Sequence, residues 1–264
     1  MKERLDVFLV NKGFYETRNK AQNAIESNDV KVNGVIINSS SHKVDENAKI
    51  EIVSVSLPYV SRGGLKLEKA IKVFNLDLKD KTVLDIGAST GGFTDCSLQN
   101  GATKVYALDV GENQLHDSLR VNDKVVSLEK TNFRTINIEE FKGYKIDLIV
   151  VDVSFISLSY IFENASKVIE NDKCMMTLIK PQFETSKKEH NKNGVVNNPK
   201  LHFQVIKNVI DAANKYDLHL NKLDFSPIKG DKSGNIEYLG LFSFNKFDVN
   251  NENIKEIISK ALEK

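Results

Sequence analysis

The stretch VLDIGASTGGFTDC, Val83 to Cys96, constrains this chain more than any other. An aliphatic run through Ile86 reads as a buried strand, and Phe93 to Leu98 opens a helix. Between them stand six small residues, Gly87-Ala88-Ser89-Thr90-Gly91-Gly92. Small residues let a backbone approach a ligand closely, and the free N–H groups of a helix start attract a carboxylate or phosphate. About twenty residues further on, Asp109 ends the next strand, where an acid can grip a ribose diol. Two cofactor classes share this layout. A dinucleotide site prefers G-x-G-x-x-G, which Ser89 breaks. An S-adenosylmethionine site tolerates a looser loop and favours an acid just ahead of the first glycine, a place filled by Asp85. Asp85 and Asp109 together favour the methyl donor. The expected donor-binding set is therefore Asp85, Gly87, Ala88, Ser89, Thr90, Gly91, Gly92, Phe93 and Asp109.

The chain then alternates. KVYALDVG, VVSLEKTN, IDLIVVDVS and KCMMTLIK read as strands; ISLSYIFENASKVI and NPKLHFQVIKNVIDAANKY read as helices. Two last strands, LHLNKLDFSPI and EYLGLFSF, precede a terminal amphipathic helix, NENIKEIISKALEK. Such alternation predicts an α/β fold, Rossmann-like, with an open and mostly parallel sheet covered by helices on both faces. Ligands of such sheets sit beyond the carboxyl ends of the strands. With 264 residues, 41% of them hydrophobic and 28% charged, the chain can bury that core and still carry a small second module.

Residues 1–57 read as that module. Leu5, Phe8 and Leu9 share one helical face, and Ala21, Ala24 and Ile25 another, behind Thr17 as N-cap. VKVNGVII carries an Asn33-Gly34 hairpin signal, and AKIEIVSV alternates as a strand. The unit resembles the small α+β αL-type RNA-binding motif of a small-subunit ribosomal protein, pseudouridine synthases and a tyrosyl synthetase. The matching residues are Arg4-Leu5-Asp6, Gly13, Thr17-Arg18, Ala21, Ile25 and Val30 to Gly34. That resemblance implies RNA contacts by Arg4, Arg18, Lys20 and Lys31. The module holds eight basic and eight acidic side chains, so contact needs a segregated face rather than net charge. Residues 58–63, with Pro58 and Gly63, read as a linker to a second domain over 64–264.

SRGGLKL, LDIGASTGGFTD, ALDVGENQL, EKTNFR, VVDVSFISL, LIKPQFE and GNIEYL recur in the order found in the TlyA proteins, also called haemolysin A. The chain resembles that family over nearly its whole length. The resemblance implies an αL-type module joined to a methyltransferase domain like RrmJ (FtsJ). It further implies methyl transfer from S-adenosylmethionine to ribose 2′-hydroxyls of ribosomal RNA, cytidines being the family's targets, within ribosomal subunits. Asn132 matches an adenine-contact position. The family's Lys-Asp-Lys-Glu set falls on Lys66, Asp152, Lys180 and Glu237. A hydroxyl is a poor nucleophile and loses its proton as it attacks, so a base helps. Lys180 is the expected base, the carboxylates orient the lysines, and Lys66 steadies the oxygen as charge develops. Taken singly, each has an ordinary reading: Asp152 as a strand cap, Glu237 as a surface partner, Lys66 as one solvated lysine beside Lys69 and Lys72. Their ordered coincidence with the donor loop argues otherwise.

ETSKKEHNKNGVVNNP, directly after this strand, is polar and long, and reads as a mobile substrate loop in which Lys187, Lys188 and Lys192 meet phosphates. His190 and His202 lack partners at metal-ligand spacing, so no metal is expected. Cys96 and Cys174 form no disulfide framework, and no apolar leader follows MKERLDVFLVNKGF; both point to the cytoplasm. Asp147 and Asp152 interrupt the most apolar run, which argues against a membrane span and stable membrane association. The competing readings are a membrane-active haemolysin and an RNA-binding scaffold without catalysis.

Overall fold

The computed structural model describes residues 2–15, 17–26, 29–52, 57–141, 143–192, 194–230, 234–247 and 249–263, with the side chains of Lys20, Asn23, Glu26, Glu140 and Lys187 outside the description. The chain divides into two compact units, Met1–Leu57 and Pro58–Lys264.

In the first unit, β1 (Glu3–Arg4) leads into α1 (Leu5–Asn11) and α2 (Arg18–Glu26), followed by β2 (Val30–Val32), β3 (Val35–Ile36), β4 (Lys43–Val44) and β5 (Ile50–Ile52). Strands β3, β2 and β5 form one small antiparallel sheet, and β1 pairs with β4. Asn33 and Gly34 turn β2 into β3 with φ of 52° and 82°, the left-handed pair that a two-residue hairpin requires. Leu5, Phe8, Leu9, Ala21, Ala24, Ile25, Val30, Val32 and Val44 close a core of their own.

The second unit runs α3 (Gly63–Phe74), β6 (Thr82–Ile86), α4 (Gly92–Gln99), β7 (Lys104–Leu108), α5 (Asp117–Arg120), β8 (Val125–Leu128) and β9 (Leu148–Val151). It continues with α6 (Ser159–Val168), β10 (Cys174–Ile179), α7 (Pro181–Glu184), α8 (Pro199–Asn214), β11 (His219–Phe225), β12 (Tyr238–Ser243) and α9 (Asn251–Glu263). The seven strands lie in the order β11-β12-β10-β9-β6-β7-β8. All neighbours are parallel except β12, which runs antiparallel between β10 and β11.

The strands are apolar on both faces, as a doubly covered sheet demands. Val83, Val105, Leu148, Val150, Met176 and Leu178 pack with Leu67, Ala70 and Phe74 of α3 and Phe93 and Cys96 of α4. Their sequence neighbours Leu84, Ile149, Val151, Met175 and Ile179 face the other way, onto α6, α8 and α9. The period of two thus assigns every central strand to two cores at once. The chain leaves β6 toward β7 and β8, then returns through β9 on the opposite side. The crevice between the ends of β6 and β9 is therefore the switch point where such sheets bind ligands.

Candidate active site

The loop after β6 sits at that switch point. Gly87 (φ +85°) and Gly91 (φ +97°) take backbone angles that side chains disfavour. A Cβ on Gly87 would stand 2.6 Å from the Asp152 carbonyl oxygen, so only glycine lets this loop touch the segment after β9. The Asp152 N–H also donates to the Ile86 carbonyl (3.0 Å), locking the two strand exits together. Gly91 caps α4, whose first-turn N–H groups on Gly92 and Phe93 have no acceptor within the helix. Ala88 packs on Ala107, Leu115 and Leu119, and the Thr90 carbonyl accepts from the His116 N–H.

Asp109 is bonded at both oxygens: Oδ2 accepts from the Ser89 N–H (2.8 Å) and Oδ1 from the Gly111 N–H (2.7 Å). It therefore positions the donor loop. Ser89 holds a left-handed φ of 48° beside it. The Thr131 N–H donates to the Asp109 carbonyl, and the exposed Asn132 that follows accepts from the Arg134 N–H. Two members of the expected donor set lie deeper than the loop itself. The Phe93 ring lies in the core with Leu67, Ala70 and Cys96, so it offers a ligand only its backbone. Asp85 is wholly buried beneath the loop, with Oδ2 accepting from the Thr94 hydroxyl at 2.6 Å. Burial pushes its carboxyl up to about 7 against the lowering effect of Thr94, and the charge of Asp152 adds to the rise.

These residues fit the expected methyl donor. Asp85 Oδ1 is a buried acceptor with no hydrogen-bond partner among the described residues. Gly87 and Gly91 keep the backbone bare, and Asp109 and Asn132 stand at the ends of the neighbouring strands.

On the same rim, four charges meet. Lys66 belongs to the first turn of α3, Asp152 follows β9, Lys180 follows β10, and Glu237 precedes β12. Lys66 Nζ lies 2.7 Å from Glu237 Oε2 and 3.6 Å from Asp152 Oδ2. Lys180 Nζ lies 2.5 Å from Asp152 Oδ1 and donates to Ser154 Oγ at 3.1 Å. The chain Glu237–Lys66–Asp152–Lys180 alternates in sign and sums to zero. Lys66, Lys180 and Glu237 are 9%, 6% and 3% exposed, so their desolvation is costly and the pairing offsets it. Burial alone would raise the Asp152 carboxyl; the ammonium groups of Lys66 and Lys180 outweigh it and hold the group below its ordinary value.

Lys180 is fixed from behind by Pro181, the first residue of the one-turn helix α7. Lys69, expected at the surface, is instead clasped by Asp224 (2.8 Å) and the Phe225 carbonyl, which binds α3 to β11 one turn from Lys66. Sequence reasoning did not single out Ser154, Glu184 or Asn235. Glu184 accepts from the Ser157 hydroxyl (2.6 Å) and the Leu158 N–H (2.8 Å). The expected mobile loop is tied down in its second half: Asn235 accepts from the Val196 N–H, and buried His202 bridges the Val196 carbonyl and the Tyr238 hydroxyl. Asn235 and Tyr238, at the start of β12, are about forty residues away in the chain, which is why composition alone read the loop as free. Lys188 and Lys192 are exposed on its first half, and the Lys187 side chain lies outside the described residues.

In the first unit, Arg4 and Arg18 share one buried carboxylate, Asp6, at 3.0 and 2.8 Å. The arginine hydrogen bonds hold that acid well below the usual carboxylate range. Both arginines remain about half exposed, at 43% and 53%, so two cations stand over one anion. Lys31 lies on β2 opposite Glu51, and the Lys20 side chain lies outside the described residues.

Sheet order, glycine loop and the four-charge rim define a methyltransferase domain of the FtsJ type. The FtsJ-like methyltransferase family matches residues 59–244, and the S4 domain family matches residues 3–50. A Bacillus subtilis protein described as a candidate rRNA methyltransferase, YqxC, is 45% identical over 90% of this chain and 84% of its own. The 16S/23S rRNA (cytidine-2′-O)-methyltransferase TlyA of Mycobacterium tuberculosis is 36% identical over 89% of this chain and 87% of its own. A Streptococcus thermophilus structure described as a candidate hemolysin superposes with a TM-score of 0.79 at 40% identity, covering 99% of this chain and 96% of that one. The chain belongs to the TlyA family of rRNA methyltransferases.

Proposed function

We propose that this protein transfers a methyl group from S-adenosylmethionine to the ribose 2′-hydroxyl of cytidine in ribosomal RNA, acting on ribosomal subunits in the cytoplasm. The observation that carries this reading is the Glu237–Lys66–Asp152–Lys180 chain at the mouth of the glycine loop. S-adenosylmethionine supplies an electrophilic methyl on a positively charged sulfur, and Gly87 to Gly92, Asp85, Asp109 and Asn132 would hold it. Lys180 acts as the neutral amine, its resting ammonium proton first given up to solvent. Its Nζ then takes the proton of the 2′-hydroxyl as the oxygen–methyl bond forms and the methyl–sulfur bond breaks, leaving the neutral thioether. Asp152 holds Lys180 in place and keeps its own negative charge. Lys66, anchored by Glu237, meets the charge that develops on the oxygen. The relative from M. tuberculosis, named for both 16S and 23S rRNA, supports the choice of nucleotide.

Residues 1–57 are the RNA-binding domain, 58–63 the linker and 64–264 the catalytic domain in this account. Arg4, Arg18 and Lys31, with Lys20, Lys187 and Lys188, are its RNA contacts. The half-exposed arginines over Asp6 support this: their guanidinium planes are pre-oriented yet retain donors for phosphate.

A scaffold without catalysis would have no use for three buried charges whose desolvation is costly. A pore-forming reading finds no support in the helices: among the described residues none is long and apolar enough to cross a membrane. The test is to map 2′-O-methyl groups in both rRNAs from cells with and without the protein. A cytidine methyl that appears only with the protein is expected; identical maps contradict the proposal.

A further inference from the structure

The motif LIKPQFE contributes more to the site than its lysine. We infer that Ser154 is a positioning residue for the reaction, one that fixes the direction in which Lys180 presents its nitrogen; this rests on the reading of Lys180 as the base.

The chemistry starts from the shape of an amine. A lysine nitrogen has three directions besides its own carbon, and a base must aim one of them, as a lone pair, at the hydroxyl. Lys180 Nζ is paired with Asp152 Oδ1 in one direction and donates to Ser154 Oγ, 3.1 Å away, in another. The third is left for the substrate. With Asp152 alone, the amine could rotate about its terminal bond and spread that direction around a cone. With the serine hydroxyl as a second acceptor, rotation stops. Lysine has three rotatable donors and no fixed plane, so a second acceptor does for it what the planar fork does for arginine.

Three further observations show a segment shaped to hold Ser154 in place. Phe155, the next residue, has a left-handed φ of +63° although it is bulky and 91% exposed, a strained backbone. Its ring meets Phe183 of α7 at 5.0 Å between centroids. Glu184, also of α7, accepts from the Ser157 hydroxyl and the Leu158 N–H, supplying the cap that the N-terminus of α6 lacks from its own side chain. Lys180, Phe183 and Glu184 lie three and four residues apart, on one side of a single helical turn. They meet Asp152 with Ser154, Phe155, and Ser157 with Leu158 as three successive rungs. The one-turn helix thus clamps the segment after β9 against Lys180, and the strain at Phe155 is held by the rungs on either side of Ser154.

Ser154 is exposed, so its variants can be made without opening the core. The experiment compares Ser154→Ala, Ser154→Thr and Lys180→Ala with the wild-type chain. It measures transfer from labelled S-adenosylmethionine to ribosomal subunits, with calorimetric binding of S-adenosylmethionine alongside. Ser154→Ala should lower kcat about tenfold, with KM for the subunit and donor affinity within twofold of wild type. Ser154→Thr, which keeps the hydroxyl, should recover most of the rate. A wild-type kcat in Ser154→Ala overturns the inference, as does a loss confined to KM, which would make Ser154 an RNA contact instead. Lys180→Ala separates the two claims. If it is inactive while Ser154→Ala is normal, only the Ser154 assignment falls; if it stays active, the base assignment falls first.

Discussion

Asp85, the acid ahead of the glycine loop, is fully buried, bonded to Thr94, and pushed up to about 7 chiefly by that burial. Its folded value exceeds the ordinary 3.8 of an aspartate, so the folded state binds this proton more tightly than the unfolded one. The stability it contributes is full below about pH 4 and is lost as pH rises through about 7. Over that window the loss is on the order of a few kcal/mol, at ~1.4 kcal/mol for each tenfold change in proton affinity. Asp85→Asn should therefore remove most of the decline in unfolding free energy that the wild type shows between pH 5 and 8. Parallel urea titrations at the two pH values check this, and equal slopes for both proteins would refute the assignment. The residue types of the rim were legible because the motifs carry them. The partners were not: Thr94 for Asp85, Ser154 for Lys180 and Asp224 for Lys69 come from other turns or strands, and no local spacing encodes them.

Among the elements, the central strands were the most legible, since apolar residues on both faces leave few alternatives to a covered parallel sheet. The insertion of β12 antiparallel between β10 and β11 was not, because strand order depends on which edge the chain returns to. The one-turn helix α7 was hidden for a similar reason: its Pro181 start is readable, but its purpose lies in the contacts of Glu184 with α6. Glu129 supplies a test at this level. Its carboxylate, just past β8, accepts from the backbone N–H groups of Asn113, Gln114 and Leu115 and pairs with Arg120, tying the loop after β7 to the end of β8. The backbone N–H bonds, Asn113 foremost, draw its pKa from 4.5 down to about 2. A depressed carboxylate stabilises the fold above its unfolded value and loses that effect as pH falls through the folded one. Glu129→Gln should melt at a lower temperature than wild type at pH 7, and the gap should narrow as the pH falls from 4.5 toward 2. A gap constant with pH in thermal melts would assign the loss to packing instead of charge.

For the molecule as a whole, the sequence conveyed a two-part design, and the separate cores of Met1–Leu57 and Pro58–Lys264 give it physical content. A chain lacking residues 1–57 retains every donor-loop and rim residue. It should bind S-adenosylmethionine as the full chain does, while binding ribosomal subunits more weakly and with a shallower dependence on salt, since phosphate contacts are lost. Filter binding across a salt series measures this, and an unchanged slope would remove the small unit from RNA recognition. The rim is tested by one comparison: labelled-methyl transfer to ribosomal subunits by wild type and Lys180→Ala, with the modified atom identified. Wild type should yield a ribose 2′-O-methyl and Lys180→Ala should lose about a hundredfold or more of the rate, with donor binding retained. Transfer by Lys180→Ala at the wild-type rate, or a methyl found on the base, would contradict the proposed reaction.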